Sequence, residues 1–341
     1  MVKSTFFELI IVKALNLKTA KTFVTFDFVE SYDLWLKINI KMSFHKLYFL
    51  FVFFVGATAF GQTKPNATPY TNEATYEKLK KKHPFITPLN RPVPPNIGID
   101  KDVEYTNING LSLKADIYYP LDKSKKYPAV ALVHGGGWIS GSKENEKYMA
   151  QELAAKGYVA IAVGYRLSEV AKYPAAIDDV NNAIAYLKKN KKKYSLNTKK
   201  IGILGESAGA QIATLVGVKS KGKIKAIVNV DGIVSFIHPE AEESTYASYW
   251  LDGDRNVNLK NWTDASPLEF VDKNTPPTLF INSSQPRFHA GRDDMMKILK
   301  SYNIFTEYHE IKDTPHSFWS AEPWFTETLD LTLQFLDKYL K

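Results

Sequence analysis

Short apolar runs alternate with amphipathic segments along the chain from about residue 103 to the C-terminus. The apolar runs lie at residues 129–133, 159–163, 201–204, 224–230 and 278–281. Runs of this length are typical of parallel strands that are buried on both faces. Segments with helical spacing of apolar residues fall at about 144–156, 174–190, 208–218, 292–302 and 326–340. This order predicts an α/β domain whose mostly parallel sheet carries helices on both faces.

Two further segments extend the predicted sheet. Residues 103–105 and 111–118 flank a turn at 106–110 and predict a hairpin ahead of the parallel strands. Residues 305–311 predict a last strand before the C-terminal helix. Because ligands of such sheets bind beyond the carboxyl ends of the strands, we expect the reactive side chains directly after the strands.

The N-terminal third contains segments that stand apart from this pattern. Residues 42–61 read MSFHKLYFLFVFFVGATAFG, with the order of a secretory signal peptide: a start methionine, a basic patch, an apolar run and small residues. A short membrane anchor is the alternative, although the run is shorter than the roughly 18 residues of a spanning helix. If Met42 is the true start, residues 1–41 are a mis-assigned upstream extension. We therefore predict a secreted or periplasmic protein without a membrane span after signal cleavage.

Residues 62–100 are polar and rich in proline, which predicts an extended arm that lies over the domain or moves freely. We expect no catalytic residue in this arm. The catalytic domain is then predicted over residues 101–341.

The amino-acid composition excludes several classes of site and partner. The hydrophobic content of 45% and charged content of 23% suit one sizeable α/β core. The chain has no cysteine, which excludes disulfides, thiolate metal sites and a thiol nucleophile, so any nucleophile is Ser, Thr, Lys or a carboxylate. The net charge of +8 lacks dense Lys/Arg stripes with interleaved aromatics, and no nucleic-acid partner is predicted.

Two glycine-rich motifs follow predicted strands. Residues 205–209 read GESAG, the G-x-S-x-G pattern of a tight strand-to-helix turn that exposes the hydroxyl of Ser207. Residues 134–138 read HGGGW, and such glycines let backbone N–H groups approach a substrate oxygen and form an oxyanion hole with the N–H of Ala208. The alternative for this loop is phosphate binding, but no P-loop or dinucleotide pattern accompanies it.

Together, HGGGW (134–138), YRL (165–167), YPAAIDD (173–179), GESAGA (205–210) and PHSF (315–318) resemble the α/β-hydrolase superfamily over about residues 103–341. Within it, the chain is similar to esterases related to hormone-sensitive lipase and to secreted carbohydrate esterases of the acetyl or feruloyl type. The resemblance implies an eight-stranded-type sheet and a small cap insertion at about 233–276. It also implies Ser207 as nucleophile, oxyanion donors at Gly136, Gly137 and Ala208, and no metal or organic cofactor.

The sequence indicates the general base more clearly than the acid that orients it. His316 follows the predicted last strand, in the order Ser, acid, His, and is the expected base, with His289 as the fallback. In the family an aspartate usually follows the penultimate strand, but no carboxylate occupies that place here. Two substitutes remain: Asp231, at the end of the run 224–230, and Asp293, at the start of a helix. We favour Asp231 because a strand end is rigid.

Aromatic and cationic residues near these positions are candidates for substrate binding. Trp138 and Trp319 adjoin the glycine loop and the histidine, and further aromatics (Tyr246, Tyr249, Trp250, Trp262, Trp324) either form a platform for sugar rings or serve in packing. Arg287, His289 and Arg292 would place positive charge at the mouth of the site, where we hypothesise contact with a uronate carboxylate.

These features predict a serine esterase that hydrolyses acyl esters, acetyl first and feruloyl second, on plant-type polysaccharides or oligosaccharides. A general lipase or carboxylesterase is the alternative within the enzyme class. A catalytically silent, hydrolase-like binding module is the alternative outside it, because the usual acid is missing. The glycan and the oligomeric state stay open.

Overall fold

The computed structural model of the protein describes residues 64–341. The predicted upstream extension and signal peptide lie outside the described residues. Within the described part, no helix combines the length and apolar character that a membrane crossing needs.

Eight strands form one mixed sheet, as predicted. They are β2 (Ile97–Ile108), β3 (Leu111–Pro120), β4 (Tyr127–Val133), β5 (Val159–Val163), β6 (Leu196–Glu206), β7 (Ala226–Val230), β8 (Thr278–Asn282) and β9 (Thr306–Glu310), with β1 (Thr87–Pro88) and β10 (Ala321–Glu322) pairing separately. The order across the sheet is β2-β3-β5-β4-β6-β7-β8-β9. Strands β4 to β9 run parallel, and β3 is antiparallel to both β2 and β5.

The predicted hairpin is longer than the sequence pattern indicated. Its turn is only Asn109-Gly110, both with positive φ (53° and 88°), whereas the prediction assigned residues 106–110 to the turn. Two central residues of positive φ give the type of turn that matches the twist of paired strands. The polar residues before Asn109 therefore continue the edge strand.

Helices cover both faces of the sheet. They are α1 (Asn72–Leu79), α2 (Lys147–Ala155), α3 (Ala175–Lys189), α4 (Ala208–Lys219), α5 (Thr245–Trp250), α6 (Leu259–Asp264), α7 (Arg292–Ser301) and α8 (Trp324–Leu340). Helices α3, α4 and α7 pack with one side of the strands, and α2 and α8 pack with the other. Strand β4 contributes to both cores, since Ala131 and Val133 face the first and Val130 and Leu132 the second.

The proline-rich arm departs from the prediction of an extended segment. Residues 72–79 form helix α1, which begins where the Thr71 side chain accepts a hydrogen bond from the N–H of Ala74 (3.0 Å). The arm is held to the domain by Asn72, whose side chain donates to the Asn145 carbonyl (2.9 Å), and by Asn145, which donates to the Tyr70 carbonyl (3.2 Å). These bonds place residues 70–72 beside the loop that follows β4.

The segment predicted as a cap contains helices α5 and α6 and the short 3-10 turn Pro267–Phe270. Trp250 and Trp262, candidates for a sugar platform, are fully buried. Trp250 stacks on Trp138 with ring centroids 5.0 Å apart, and the Trp262 indole donates to the Gly253 carbonyl (2.8 Å). A platform needs exposed ring faces, so these two indoles serve in packing, and the platform expectation is wrong for them.

Candidate active site

Ser207 occupies the sharp turn between β6 and α4. Its φ of 54° lies in the left-handed region, and its N–H donates to the Val230 carbonyl (2.8 Å). The flanking glycines permit the turn, since a Cβ on Gly205 would lie 2.1 Å from the Gly209 oxygen and one on Gly209 would lie 2.0 Å from the Val133 oxygen. A residue held in this region of φ and ψ carries local strain that the surrounding structure must impose.

Three polar side chains from separate segments meet beyond the carboxyl ends of β6, β7 and β9. Ser207 Oγ lies 2.8 Å from His316 Nε2, and His316 Nδ1 lies 2.7 Å from Asp231 Oδ2. The imidazole is fixed by Phe288, which stacks on it with centroids 3.5 Å apart, and by Trp319, edge-on at 5.2 Å. The arrangement has the connectivity of a nucleophile, a base and an orienting carboxylate.

Asp231 is fully buried directly after β7. Its Oδ1 accepts hydrogen bonds from the Ser283 N–H (2.9 Å) and the Asn282 side chain (3.4 Å). Burial alone would raise the pKa of Asp231, but the imidazoles of His289 and His316 and the Ser283 N–H outweigh burial and hold the pKa well below its usual range. The carboxylate is therefore ionised at neutral pH.

The alternative acid, Asp293, and the fallback base, His289, have other hydrogen-bond partners. Asp293 is exposed at the start of α7 and accepts a hydrogen bond from the guanidinium of Arg292 (2.8 Å), which holds the pKa of Asp293 below its usual value. It makes no contact with His316. His289 donates from Nε2 to the Ser283 carbonyl (3.0 Å), and the same nitrogen lies 3.7 Å from Asp231 Oδ1. His289 therefore flanks the carboxylate on the side away from Ser207.

The glycine loop borders the same cavity. Gly136 and Gly137 have φ of 110° and 60°, and a Cβ on Gly136 would lie 2.1 Å from the Ser140 carbonyl oxygen. Glycine is thus required at position 136 for this path of the backbone. Gly136, Gly137, Ser207 and Ala208 all line one cavity, so the loop and the N-terminus of α4 face a common space.

This cavity has a volume of about 320 Å³ and opens to solvent. Its apolar wall comes from Trp138, Ile233, Phe236, Ala247 and Phe288. Trp138 is itself held in place, because its indole N–H donates to the Gln211 side chain (3.1 Å). A space of this size suits a small acyl group and part of an alcohol.

The predicted cluster of cations at the mouth is not formed. Arg287 lines the cavity, with the Glu242 carboxylate 4.0 Å from its guanidinium. Arg292 is instead engaged by Asn282 (3.0 Å), by Asp293 and by the ring of Tyr308, and the His289 ring is bound to the backbone. The predicted roles of Arg292 and His289 in substrate binding are therefore wrong, because both side chains already have partners within the protein.

Trp319 also differs from its predicted role as a substrate contact. Its ring is 2% exposed and packs edge-on against His316 and Phe318 rather than lining the cavity. The indole therefore supports the histidine loop from behind.

The N-terminal arm contributes to the site, which the sequence did not predict. Thr68 and Tyr70 line the cavity, and the Tyr246 hydroxyl donates to the Asn66 carbonyl across its rim (3.1 Å). The arm has no periodic apolar pattern, and Tyr70 is one of its three Phe, Tyr or Trp residues, so no feature of the sequence distinguished it. Within residues 64–341, no group of three or more His, Asp or Glu side chains is arranged to hold a metal ion.

The mixed eight-stranded sheet, the strained serine after β6 and the histidine after β9 define an α/β hydrolase of the serine type. A family model described as BD-FAE matches residues 115–304, more than half of the chain. The chain belongs to the BD-FAE family.

Esterases recur among its relatives. Esterase LipC of Mycobacterium tuberculosis is 28% identical over 181 residues, covering 48% of this chain and 45% of LipC. An acetyl esterase of Salmonella enteritidis is 27% identical over 208 residues, covering 54% of this chain and 64% of that protein. The solved bifunctional GH43-CE of Bacteroides eggerthii has a TM-score of 0.62 and 22% identity, covering 70% of this chain and 35% of that one, and supports the fold. The protein is a carboxylic ester hydrolase, as predicted.

Proposed function

We propose that the protein hydrolyses acetyl esters on polysaccharides or oligosaccharides through an acyl-enzyme on Ser207. His316 is the general base, Asp231 orients it, and the N–H groups of Gly136, Gly137 and Ala208 form the oxyanion hole. The observation that carries this proposal is the unbroken contact from Ser207 Oγ through His316 to the buried Asp231, at the edge of an open cavity.

In the first half of the reaction, Ser207 Oγ attacks the ester carbonyl while His316 Nε2 takes its proton. Asp231 accepts the hydrogen bond from Nδ1–H, which keeps Nε2 free to act as a base and stabilises the imidazolium that forms. The negative charge that develops on the carbonyl oxygen is stabilised by backbone N–H groups that need no reorganisation. His316 then returns the proton to the departing sugar hydroxyl.

In the second half, water enters the place of the sugar. His316 removes a proton from it, the hydroxide attacks the Ser207 ester, and acetate leaves after the proton returns to Oγ. The alternative of a catalytically silent module rested on the missing acid, and Asp231 provides a carboxylate against His316 from another strand.

The choice of acetyl is supported by the limited cavity, since acyl group and alcohol share about 320 Å³. It is also supported by the similarity to the acetyl esterase of Salmonella enteritidis. Of the cations first considered for a uronate, Arg287 alone faces this space, and Glu242 opposes its charge. We therefore propose a neutral glycan as the preferred alcohol.

The experiment has two steps. First, an alkyl fluorophosphonate should label the wild-type enzyme on Ser207, and Ser207→Ala should remain folded and unlabelled. Second, kcat/KM should be compared on acetylated xylan, acetylated pectin, methyl ferulate and nitrophenyl esters of increasing chain length. Highest turnover on acetylated neutral glycans supports the proposal. Preference for long-chain esters would assign a lipase, and preference for methyl ferulate would assign a feruloyl esterase.

The secreted or periplasmic location stays a prediction from residues 42–61. N-terminal sequencing of the protein from culture medium and periplasm should give a mature chain that begins at Gln62. An intact N-terminus in the membrane fraction would favour the short anchor.

A further inference from the structure

Two carboxyl groups lie buried together behind the nucleophile, and the mechanism above uses neither. Glu206 immediately precedes Ser207 and is 4% exposed, and Glu146 is 1% exposed. The side chains are within hydrogen-bonding reach of one another. Glu146 comes at the end of the 3-10 turn Lys143–Glu146, just after the glycine loop, and directly before α2. The pair thus joins the oxyanion-loop segment to the nucleophile turn across 60 residues of sequence.

No cation compensates these two groups within the described residues. Lys147, the nearest lysine in sequence, pairs with Glu73 (3.2 Å). Lys143 is bound by Asp116 (2.9 Å), Glu144 (2.6 Å) and Asp102 (3.3 Å). No donor hydrogen of a described residue reaches either oxygen of Glu146. Two ionised carboxylates have no hydrogen to share, so the contact between them holds only if one carries a proton.

The surrounding groups do not supply charge either. Tyr70 from the arm and Tyr165 after β5 face this region, and the His134 ring of the glycine loop stacks on the Tyr165 ring. The Tyr165 hydroxyl donates to the His134 carbonyl (2.9 Å), and His134 Nδ1–H donates to the Gly135 carbonyl (2.7 Å). Burial lowers the pKa of His134 to about 4, so its imidazole is neutral when the enzyme works.

We propose that Glu146 and Glu206 share a proton and act as a positioning pair that holds the oxyanion loop against the nucleophile turn. Loss of the last shared proton places two negative charges in contact. Their repulsion separates the loop from the turn and moves the N–H groups of Gly136 and Gly137 away from the oxyanion. The inference rests on the proposed roles of Ser207 and of the glycine loop.

The pKa values of both carboxyl groups are raised, as a shared proton requires. Burial raises the pKa of Glu146 to about 8. Burial, together with the neighbouring Glu146, raises the pKa of Glu206 well above its usual range. Because both values lie above those of the unfolded chain, the pair favours folding most below about pH 4.5 and loses this contribution as the pH rises through the folded values. Alkaline pH should therefore weaken both the site and the fold.

The test compares pH profiles of kcat and KM on a nitrophenyl acetate for wild type, Glu146→Gln/Glu206→Gln, and Glu146→Ala. Two glutamines keep a hydrogen bond of the same shape without a titrating proton. We expect the double variant to keep kcat within about threefold of wild type at pH 7 and to retain it above pH 9, where wild-type kcat falls at least fivefold. Glu146→Ala should lower kcat at least tenfold at pH 7 with little change in KM. The matched control is Glu144→Gln, an exposed carboxyl on the same turn, which should follow the wild-type profile.

Identical alkaline profiles for wild type and the double variant would overturn the proposal, and so would wild-type kcat in Glu146→Ala. Thermal unfolding of the same proteins provides a second readout. The double variant should gain stability over wild type between pH 6 and 9, and a constant difference would count against a shared proton. Fluorophosphonate labelling separates the two hypotheses, because its absence in wild type would reject the role of Ser207, whereas normal labelling with an unaltered profile would reject only the pair.

Discussion

Replacing Asp231 by asparagine should nearly abolish turnover while preserving the fold. Asp231 Oδ1 accepts the fixed backbone N–H of Ser283 (2.9 Å), so an asparagine must keep its oxygen there and turn its NH₂ toward His316 Nδ1. That NH₂ donates to Nδ1 and forces the proton onto Nε2. Nε2–H then donates to Ser207 Oγ and cannot accept the proton that the reaction must remove.

The expected loss is about 10⁴-fold in kcat, as for the same change in other serine triads. This corresponds to about 5 kcal/mol of lost transition-state stabilisation. The assay is steady-state hydrolysis of nitrophenyl acetate at pH 7 to 8, with circular dichroism and thermal unfolding to verify the fold. KM should change little, because the acid does not touch the substrate.

Asp293→Asn is the matched control, since this exposed aspartate contacts Arg292 and not His316. It should retain kcat within about twofold, as expected of a surface carboxylate away from the reacting atoms. More than a tenth of wild-type kcat in Asp231→Asn, or a loss of kcat in Asp293→Asn instead, would contradict the role of Asp231.

Three further predictions concern stability. Gly209→Ala should prevent native folding or strongly raise the unfolded fraction, because the new Cβ would lie 2.0 Å from the Val133 carbonyl oxygen. In the control Gly222→Ala the nearest atom is 4.0 Å from the new Cβ, and the positive φ should lower the free energy of unfolding by only about 1 kcal/mol. Urea unfolding measures both variants. Trp250→Ala should lose about 3–5 kcal/mol in the same assay, whereas Val257→Ala, 79% exposed, should change stability by less than about 0.5 kcal/mol. The depressed pKa of Asp231 stabilises the fold above its unfolded value of 3.8, and this contribution disappears as the pH falls below that value. Wild type should therefore lose more stability than Asp231→Asn between pH 5 and 2, and parallel Tm curves would contradict this.

The sheet and its helices were predictable because they depend on short-range pattern. Strand β5 follows the predicted bounds, and α2, α3, α4, α7 and α8 fall on predicted helical segments. The hairpin turn and α1 were missed, since polar residues formed an edge strand in one case and a helix capped by Thr71 in the other. Neither segment carries the apolar periodicity on which such predictions rely.

Some residues of the site were likewise predictable from the sequence, and others were not. Ser207 and the glycine loop are marked by sequence because their backbone geometry is local: a strand, a tight turn and a helix need glycines at set positions. The partner of His316 is not marked, because Asp231 lies 85 residues away and reaches it only through the order of β7, β8 and β9 in the sheet. The position of the arm at the cavity and the contact of Glu146 with Glu206 likewise arise from segments distant in sequence. Local pattern determines which strands and turns form, whereas packing between remote segments decides which side chains meet and which are already engaged.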